Sequence, residues 1–325
     1  MLVSADIRPN RSTDAGHPAE CPAKTVDVSI VLTCWNSLKY LRPCLQSIHG
    51  ANLGFRFEIV VADNGSTDGS LDMVRQEFPS ARIVECGVNL GFAGGTNQGI
   101  AASRGRYVLL LNCDTLIDGR SLDSMVNVLD QRFEAGAVGG RLLNTDGSFQ
   151  AGYASFSTLW QELLIASGIA RRFQPGYPAN GDSSTIRRVD WISAACLLVR
   201  AEVFDQVGLL DEEYFMYSEE VDLQFRMNLA GWSVYFVPTA ETIHHNGGDQ
   251  DHWRRRRMVY RGKMLFYRKH RSRWTAFAFR VALATLSAAK MAAWLLAGVC
   301  WVPGERAVRE FRSNGDVFLL ALRLH

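Results

Sequence analysis

Three carboxylates fall within four positions of the stretch YFMYSEEVDLQFR, residues 214–226: Glu219, Glu220 and Asp222. Their neighbours Phe215, Met216, Val221, Leu223 and Phe225 are aromatic or apolar. One use of this arrangement is structural. Ser218 can cap a helix whose first turn holds Glu219 and Glu220, where the macrodipole favours negative charge. Asp222 then pairs with Arg226 one turn on, and Val221, Phe225 and Leu229 form a buried stripe that Gly231 ends. The other use is chemical. Partial burial and mutual repulsion raise a carboxylate's pKa towards that of a general base. The two uses are compatible, and the rest of the chain decides between them.

A second acid stands in LLLNCDT, residues 109–115. Asp114 ends a strongly apolar run that holds no cation, with Asn112 two residues before it. It is either a turn-forming residue or a carboxylate that needs water or a cation. With Mg²⁺ or Mn²⁺ it could hold a nucleotide diphosphate. His244 and His245 precede Gly247 and Gly248. A neutral imidazole beside Asp114 would complete a divalent-metal site, although a loop His pair can equally be decoration.

The elements that must position these groups alternate in type. Apolar β-rich runs at 26–33, 57–62, 81–85 and 106–112 are separated by helical patterns, the first marked by Leu38, Leu41, Leu45 and Ile48. Such alternation predicts βαβ units and a mainly parallel α/β sheet. The second half is less regular, with a helix expected at 157–168, an acceptor-side loop at 174–185, and strands at 189–200 and 232–238. Ligands of open parallel sheets bind beyond the strands' C-terminal ends. There the chain places Thr33 and Asn36, Asp63 and Asn64, Asn89 and Gly91, and Asn112 and Asp114. Gly91, Gly94 and Gly95 suit a loop pressed against a nucleotide or its phosphates. NLGFAGGTN is not GxGxxG and the chain lacks GxxxxGK[ST], so hydride transfer and P-loop chemistry lose support.

Composition sets the outer bounds. The chain has 325 residues, 47% hydrophobic and 21% charged, with net charge +2, which is globular and long enough for two domains, or one domain with substantial additions. Seven cysteines without a CxxC pair argue for a reducing compartment and against a disulfide framework. Residues 1–25 lack an apolar core typical of a secretory signal and read as a flexible arm. Ten Lys or Arg and no acid lie between Arg254 and Arg273, followed by a long apolar stretch to Val302. A basic, aromatic run can face nucleic acid or membrane; the apolar stretch favours membrane. Lys290 counts against spanning, and Arg273, Arg280 and Ser287 recur every seven residues as a polar stripe for the headgroup layer. Peripheral attachment to an anionic membrane, with no nucleic-acid partner, is the expectation, over a domain at 26–250 and helices at 251–325.

The blocks VSIVLTCWNSLKYLRPCLQSI, EIVVADNGSTDGS, NLGFAGGTNQGI, LLLNCDT, WISAACLLVR, YFMYSEEVDLQFRMNLAGW and IHHNGG occur in this order. The order resembles that of family 2 glycosyltransferases, most closely the rhamnosyltransferase-like branch of bacterial envelope polysaccharide synthesis, over residues 26–270. The resemblance implies a GT-A fold and inverting transfer from a dTDP- or UDP-sugar, with L-rhamnose or a related hexose as the sugar, to a polyprenyl-linked saccharide at the cytoplasmic face of the cell membrane. It implies that Thr33, Asn36, Asp63, Asn89, Gly94, Asn97 and Asn112 hold the nucleotide sugar. Asp114 and His244 would hold Mg²⁺ or Mn²⁺, and Trp191 and Ala194 would face the acceptor. Glu220 would be the base, Glu219 and Asp222 its companions. Three departures stand out: Glu220 for the usual Asp, Ala194 for Gly, and Asp249 for Ser. A sugar nucleotidyltransferase and a non-catalytic envelope scaffold are the rival readings.

Overall fold

The computed structural model describes residues 26–169, 182–245, 252–300 and 304–323. The N-terminal arm at 1–25, most of the expected acceptor-side loop and Asp249 lie outside them. The chain runs β1 (Val28–Cys34), α1 (Leu38–Gly50), β2 (Phe57–Asp63), α2 (Ser70–Glu77), β3 (Arg82–Glu85), α3 (Gly91–Ala102), β4 (Tyr107–Asn112), β5 (Thr115–Ile117) and α4 (Gly119–Gln131). It continues through β6 (Ala135–Leu143), β7 (Phe149–Gln150), β8 (Tyr153–Ala154), α5 (Leu159–Ser167), β9 (Arg187–Val189), β10 (Trp191–Ile192), β11 (Cys196–Arg200) and α6 (Ala201–Val207). Last come α7 (Glu219–Leu229), β12 (Ser233–His244), α8 (His252–His270), α9 (Arg273–Cys300) and α10 (Gly304–Leu322).

The main sheet has the order β3-β2-β1-β4-β11-β6-β12-β5. β1 to β4 are parallel neighbours, β11 runs antiparallel between β4 and β6, and β12 is parallel to β6. This is the α/β sheet that the alternating pattern predicts. Because side chains alternate across a strand, Ile30 and Leu32 of β1 enter a core with α1, α2 and α4. Val31 enters the opposite core with α3, α6 and α7. Caps fix helix starts locally: Asp118 accepts from the Ser121 N–H, and Thr158 and Gln161 form a capping box on α5. The run at 189–200 is not one strand. A turn at 193–195 separates β10, which pairs with β8, from β11 in the main sheet.

A third core joins α5 and α7 to α8, α9 and α10 through residues such as Tyr214, Phe266, Phe279 and Val317. Phe225 of α7 sits edge-on to Phe156 and Phe266, with ring centroids 5.0 and 5.2 Å away. Lys263 of α8 reaches the buried Glu162 of α5 at 2.6 Å. The basic C-terminal segment is therefore built against the acidic helix α7. Two details differ from the expected stripe on α7: Leu229 is 72% exposed, while Asp222, Leu223, Gln224 and Met227 are buried. The helix is rotated so that Leu223 and Met227 meet the sheet and Val221 and Phe225 meet α8.

On α9, Arg280 and Ser287 of the Arg273–Arg280–Ser287 stripe face protein instead of a headgroup layer, while Arg273 is exposed. Ser287 is buried, Arg280 donates to the carbonyls of Ala321 and Arg323 at the end of α10, and Lys290 donates to the Ala166 carbonyl. Unpaired helix-end carbonyls attract such cations. The outward face is apolar, with Trp274 80%, Phe277 60% and Leu296 69% exposed. Residues Arg273–Gly298 are long and apolar enough to cross a membrane, by length and composition.

Candidate active site

The C-terminal ends of the parallel strands open onto a cleft of about 2040 Å³. Sheet register puts Thr33 level with Ala62 on one side and Asn112 on the other. Thr33, Asn36, Asn89, Asn112, Asp114, Trp191, Ala194, Glu219, Glu220 and His244 all line this cleft. Residues from six elements and the loops after them thus converge on one space.

Asp114 and His244 meet because β5 pairs antiparallel with the end of β12, setting His244 opposite Thr115. The His245 N–H also donates to the Asp114 carbonyl at 2.9 Å. His244 Nε2 lies 3.3 Å from Asp114 Oδ1 and 3.3 Å from Asn112 Nδ2. Its other nitrogen, Nδ1, lies 2.7 Å from Gln150 Oε1. The Gln150 amide is oriented by its own NH₂ group, which donates to Asn144 Oδ1 at 2.9 Å and to the His244 carbonyl at 3.1 Å. Its oxygen must then accept, so His244 Nδ1 carries a proton. In the neutral ring, Nε2 consequently offers a lone pair beside a carboxylate oxygen. In that tautomer the Asn112 NH₂ donates to Nε2, and a carboxylate–imidazole set oriented by an outer amide fits a divalent metal that would take the place of that contact. Among the described residues no group of three or more His, Cys, Asp or Glu could hold a metal ion.

The acidic helix enters the cleft under backbone strain. Tyr217 (φ 71°) and Ser218 (φ 80°) hold left-handed conformations, as does Asn36 (φ 47°) across the cleft. These are the only non-glycine positive φ angles among the described residues, and such strain persists where surrounding contacts impose it. The contacts are visible. Gly91 (φ +77°) lies so close to the acidic loop that a Cβ there would stand 2.2 Å from the Phe215 carbonyl, to which the Phe92 N–H donates at 2.7 Å. On the opposite side, a Cβ on Gly262 of α8 would stand 2.5 Å from the Tyr217 carbonyl and 2.8 Å from Ser218 Oγ.

Ser218 occupies the N-cap of α7 but its side chain makes no capping bond. Instead its N–H donates to Glu220 Oε2 at 3.1 Å. Burial raises both Glu219 and Glu220 above the ordinary carboxylate range, and the neighbouring Glu220 charge pushes Glu219 further. Glu219 Oε2 is buried without a hydrogen-bond partner. A pair of proton-accepting carboxylates on the cleft, one buried and one partly exposed, is what this arrangement supplies.

Four expected site residues do other work. Asp222 is not on the cleft: Oδ1 accepts from Tyr214 and, at 2.6 Å, lies against His270 Nε2, while Oδ2 accepts from Arg226 at 2.8 Å. Burial opposes its charge, but the His270 and Arg226 bonds hold its carboxyl below the usual range. Asn97 is buried, its amide bridging the Leu210 carbonyl and N–H and Glu212. Gly94 lies inside α3 against Leu90, so that glycine serves packing. Asp63 is buried beneath the cleft, with Oδ2 accepting from the N–H groups of Gly65 and Ser66 and Oδ1 unpartnered. Conversely, Trp35, Gln150 and Tyr217 line the cleft without having been singled out. Gln150 carried no usable signal, whereas Trp35 stood beside Asn36.

The profile of glycosyl transferase family 2 matches residues 29–196. The chain belongs to that family. Over 207 residues it is 34% identical to an N-acetylglucosaminyl-diphospho-decaprenol L-rhamnosyltransferase of Mycobacterium tuberculosis, a match covering 58% of this chain and 66% of the relative. The match thus spans just under two thirds of that relative's length. It is 23% identical over 227 residues to rhamnosyltransferase WbbL of Escherichia coli, covering 67% of this chain and 83% of that one. Among solved structures, the mannosyltransferase PcManGT from Pyrobaculum calidifontis, in complex with GDP-Man and Mn²⁺, superposes with TM-score 0.54. That superposition covers 91% of this chain and 86% of the other at 14% identity, and it identifies a shared GT-A-type fold.

Proposed function

We propose that this family member transfers a sugar, with inversion, from a dTDP- or UDP-linked donor to a polyprenyl-linked saccharide. Kinship with two rhamnosyltransferases points to L-rhamnose as the sugar. The observation that carries the reading is that the Asp114–His244 pair and the Glu219–Glu220 pair line one cleft. One pair suits the departing diphosphate, the other the incoming hydroxyl.

In this reading the acceptor hydroxyl attacks the anomeric carbon while Glu220 takes its proton, and the bond to the diphosphate breaks to release a nucleoside diphosphate. Glu220 is the base because it is the more exposed of the two acids on the cleft, and burial raises its proton affinity. Mg²⁺ or Mn²⁺ held by Asp114 and His244 would supply charge neutralisation at the leaving diphosphate. Thr33, Asn36, Asn89 and Asn112 would bind the nucleotide sugar. Asp63 would reach the nucleotide only through its unpartnered oxygen. Trp191 and Ala194 would border the acceptor. The apolar outer face of α9 would rest on the cytoplasmic face of the cell membrane, where anionic lipid attracts the basic segment.

The test is nucleotide release by purified protein with a panel of dTDP-, UDP- and GDP-sugars, a lipid-linked saccharide and Mn²⁺ or Mg²⁺. Acceptor-dependent release from one donor, lost in Asp114→Ala, is expected. No release from any donor, with the acceptor shown competent in another transferase, would overturn the reading.

A further inference from the structure

The cleft does not end at the acids. It continues along α8 and the start of α9, where Arg254, Arg257, Arg261 and Arg268 line it. Their spacing of three, four and seven residues places them on one helical face. Arg273 lines the same stretch from α9. Arg268 is neutralised by Glu213. Arg257, Arg261 and Arg273 have no carboxylate partner among the described residues. Exposed guanidiniums on a cleft, with no carboxylate paired to them, suit an anion, and their forked donors match phosphate oxygens.

The position of this stripe is fixed. Gly262 sits against Tyr217 and Ser218, the two residues before the catalytic acids, so Arg261 stands beside the start of α7. Apolar side chains share this part of the lining: Met258, Met264, Leu265, Ala276, Phe277 and Leu320. Phe277 is also exposed on the outer face of α9. One cleft thus holds the metal-suited pair, the proton-accepting acids, the arginines and a set of apolar side chains.

We infer that Arg257, Arg261 and Arg273 form a second diphosphate site, separate from the one at Asp114 and His244, which holds the diphosphate of a prenyl-linked acceptor. The inference rests on the proposed transfer to a lipid-linked saccharide and names the chemistry by which that acceptor is held. The saccharide points to Glu220, the two phosphates bridge the arginine stripe, and the prenyl chain leaves over Phe277 and Leu320 towards the lipid. An acceptor without the diphosphate leaves the arginines unpaired and binds weakly.

The experiment needs no turnover, so its failure is distinguishable from failure of the transfer reading. Binding of farnesyl diphosphate to the full chain is measured by calorimetry, for wild type and for a combined Arg257→Gln, Arg261→Gln, Arg273→Gln variant of unchanged melting temperature. Farnesol, inorganic diphosphate and vesicles of phosphatidylcholine with or without phosphatidylglycerol serve as parallel probes. Loss of farnesyl diphosphate affinity by about tenfold or more, the scale of lost charge-assisted bonds, is expected. Affinity for a nucleoside diphosphate with Mn²⁺, and the small affinity for farnesol, stay as they were. Unchanged farnesyl diphosphate affinity in the variant would overturn the inference. So would an equal loss on phosphatidylglycerol vesicles, which would assign the arginines to bulk headgroups.

Discussion

Replacing Gly262 by alanine adds one carbon to the contact that seats α8 on the entry to the acidic helix. That carbon would stand 2.5 Å from the Tyr217 carbonyl oxygen, where ordinary contact begins at 3.4 Å. The helices must therefore separate by about 0.9 Å, or the 217–218 backbone must move. That backbone has little room, because both residues already hold positive φ and Gly91 presses on Phe215 from the other side. Overpacking of this kind costs about 1–3 kcal/mol, a fall of a few degrees in melting temperature for a chain of this size. The catalytic consequence is larger, since a displacement of about 1 Å in a positioned site can cost about 10²-fold in rate. Steady-state nucleotide release at saturating donor, beside a thermal melt, reads both effects. The expected result is a kcat reduced by about 10- to 100-fold in a protein that still melts cooperatively. A variant with wild-type kcat and KM would refute the idea that α8 sets the position of Glu220.

Gln150→Leu removes the amide that fixes the His244 ring, and Mn²⁺ affinity in the presence of a nucleoside diphosphate is expected to weaken by about 10- to 100-fold, read by titration of free Mn²⁺. Glu219→Gln is expected to stabilise the protein at neutral pH. The folded-state pKa of Glu219 is raised above its ordinary 4.5, so its favourable contribution is complete below about that pH and is lost as pH rises through the folded value. Each tenfold preference for the protonated form is worth about 1.4 kcal/mol; the variant's gain in melting temperature should appear at pH 7 and vanish near pH 4. Lys263→Met leaves the Glu162 carboxylate buried without its cation, and denaturant unfolding should show a loss of about 3–5 kcal/mol.

Much of the architecture was legible because β1 to β4 are apolar runs closed by polar residues, and that pattern dictates a parallel sheet with a site at its C-terminal edge. The meeting of Asp114 and His244 was legible only through the family resemblance, since an antiparallel pairing of residues 130 positions apart leaves no local mark. Glycine misled in one place: Gly94, read as pressed against the nucleotide, serves close packing in α3, where a Cβ would stand 2.7 Å from Leu90 Cβ. Asp222 was grouped with Glu220 by proximity in sequence, but two residues along a helix is a rotation of about 200°, which turns it to His270. The basic run at 254–273 was visible as charge. Its direction was not, because the contact that aims it lies between Gly262 and Ser218, two residues whose types reveal nothing of each other.

The most direct test of the account is the single-turnover transfer rate of Glu220→Gln, measured with saturating donor and acceptor beside wild type and Asp222→Asn. Glutamine keeps the size of the side chain and removes its capacity to take a proton. The expected rate is lower by about 10²- to 10⁴-fold, the contribution of a positioned base, with donor affinity unchanged and Asp222→Asn far less affected. A Glu220→Gln rate within a few-fold of wild type would contradict it.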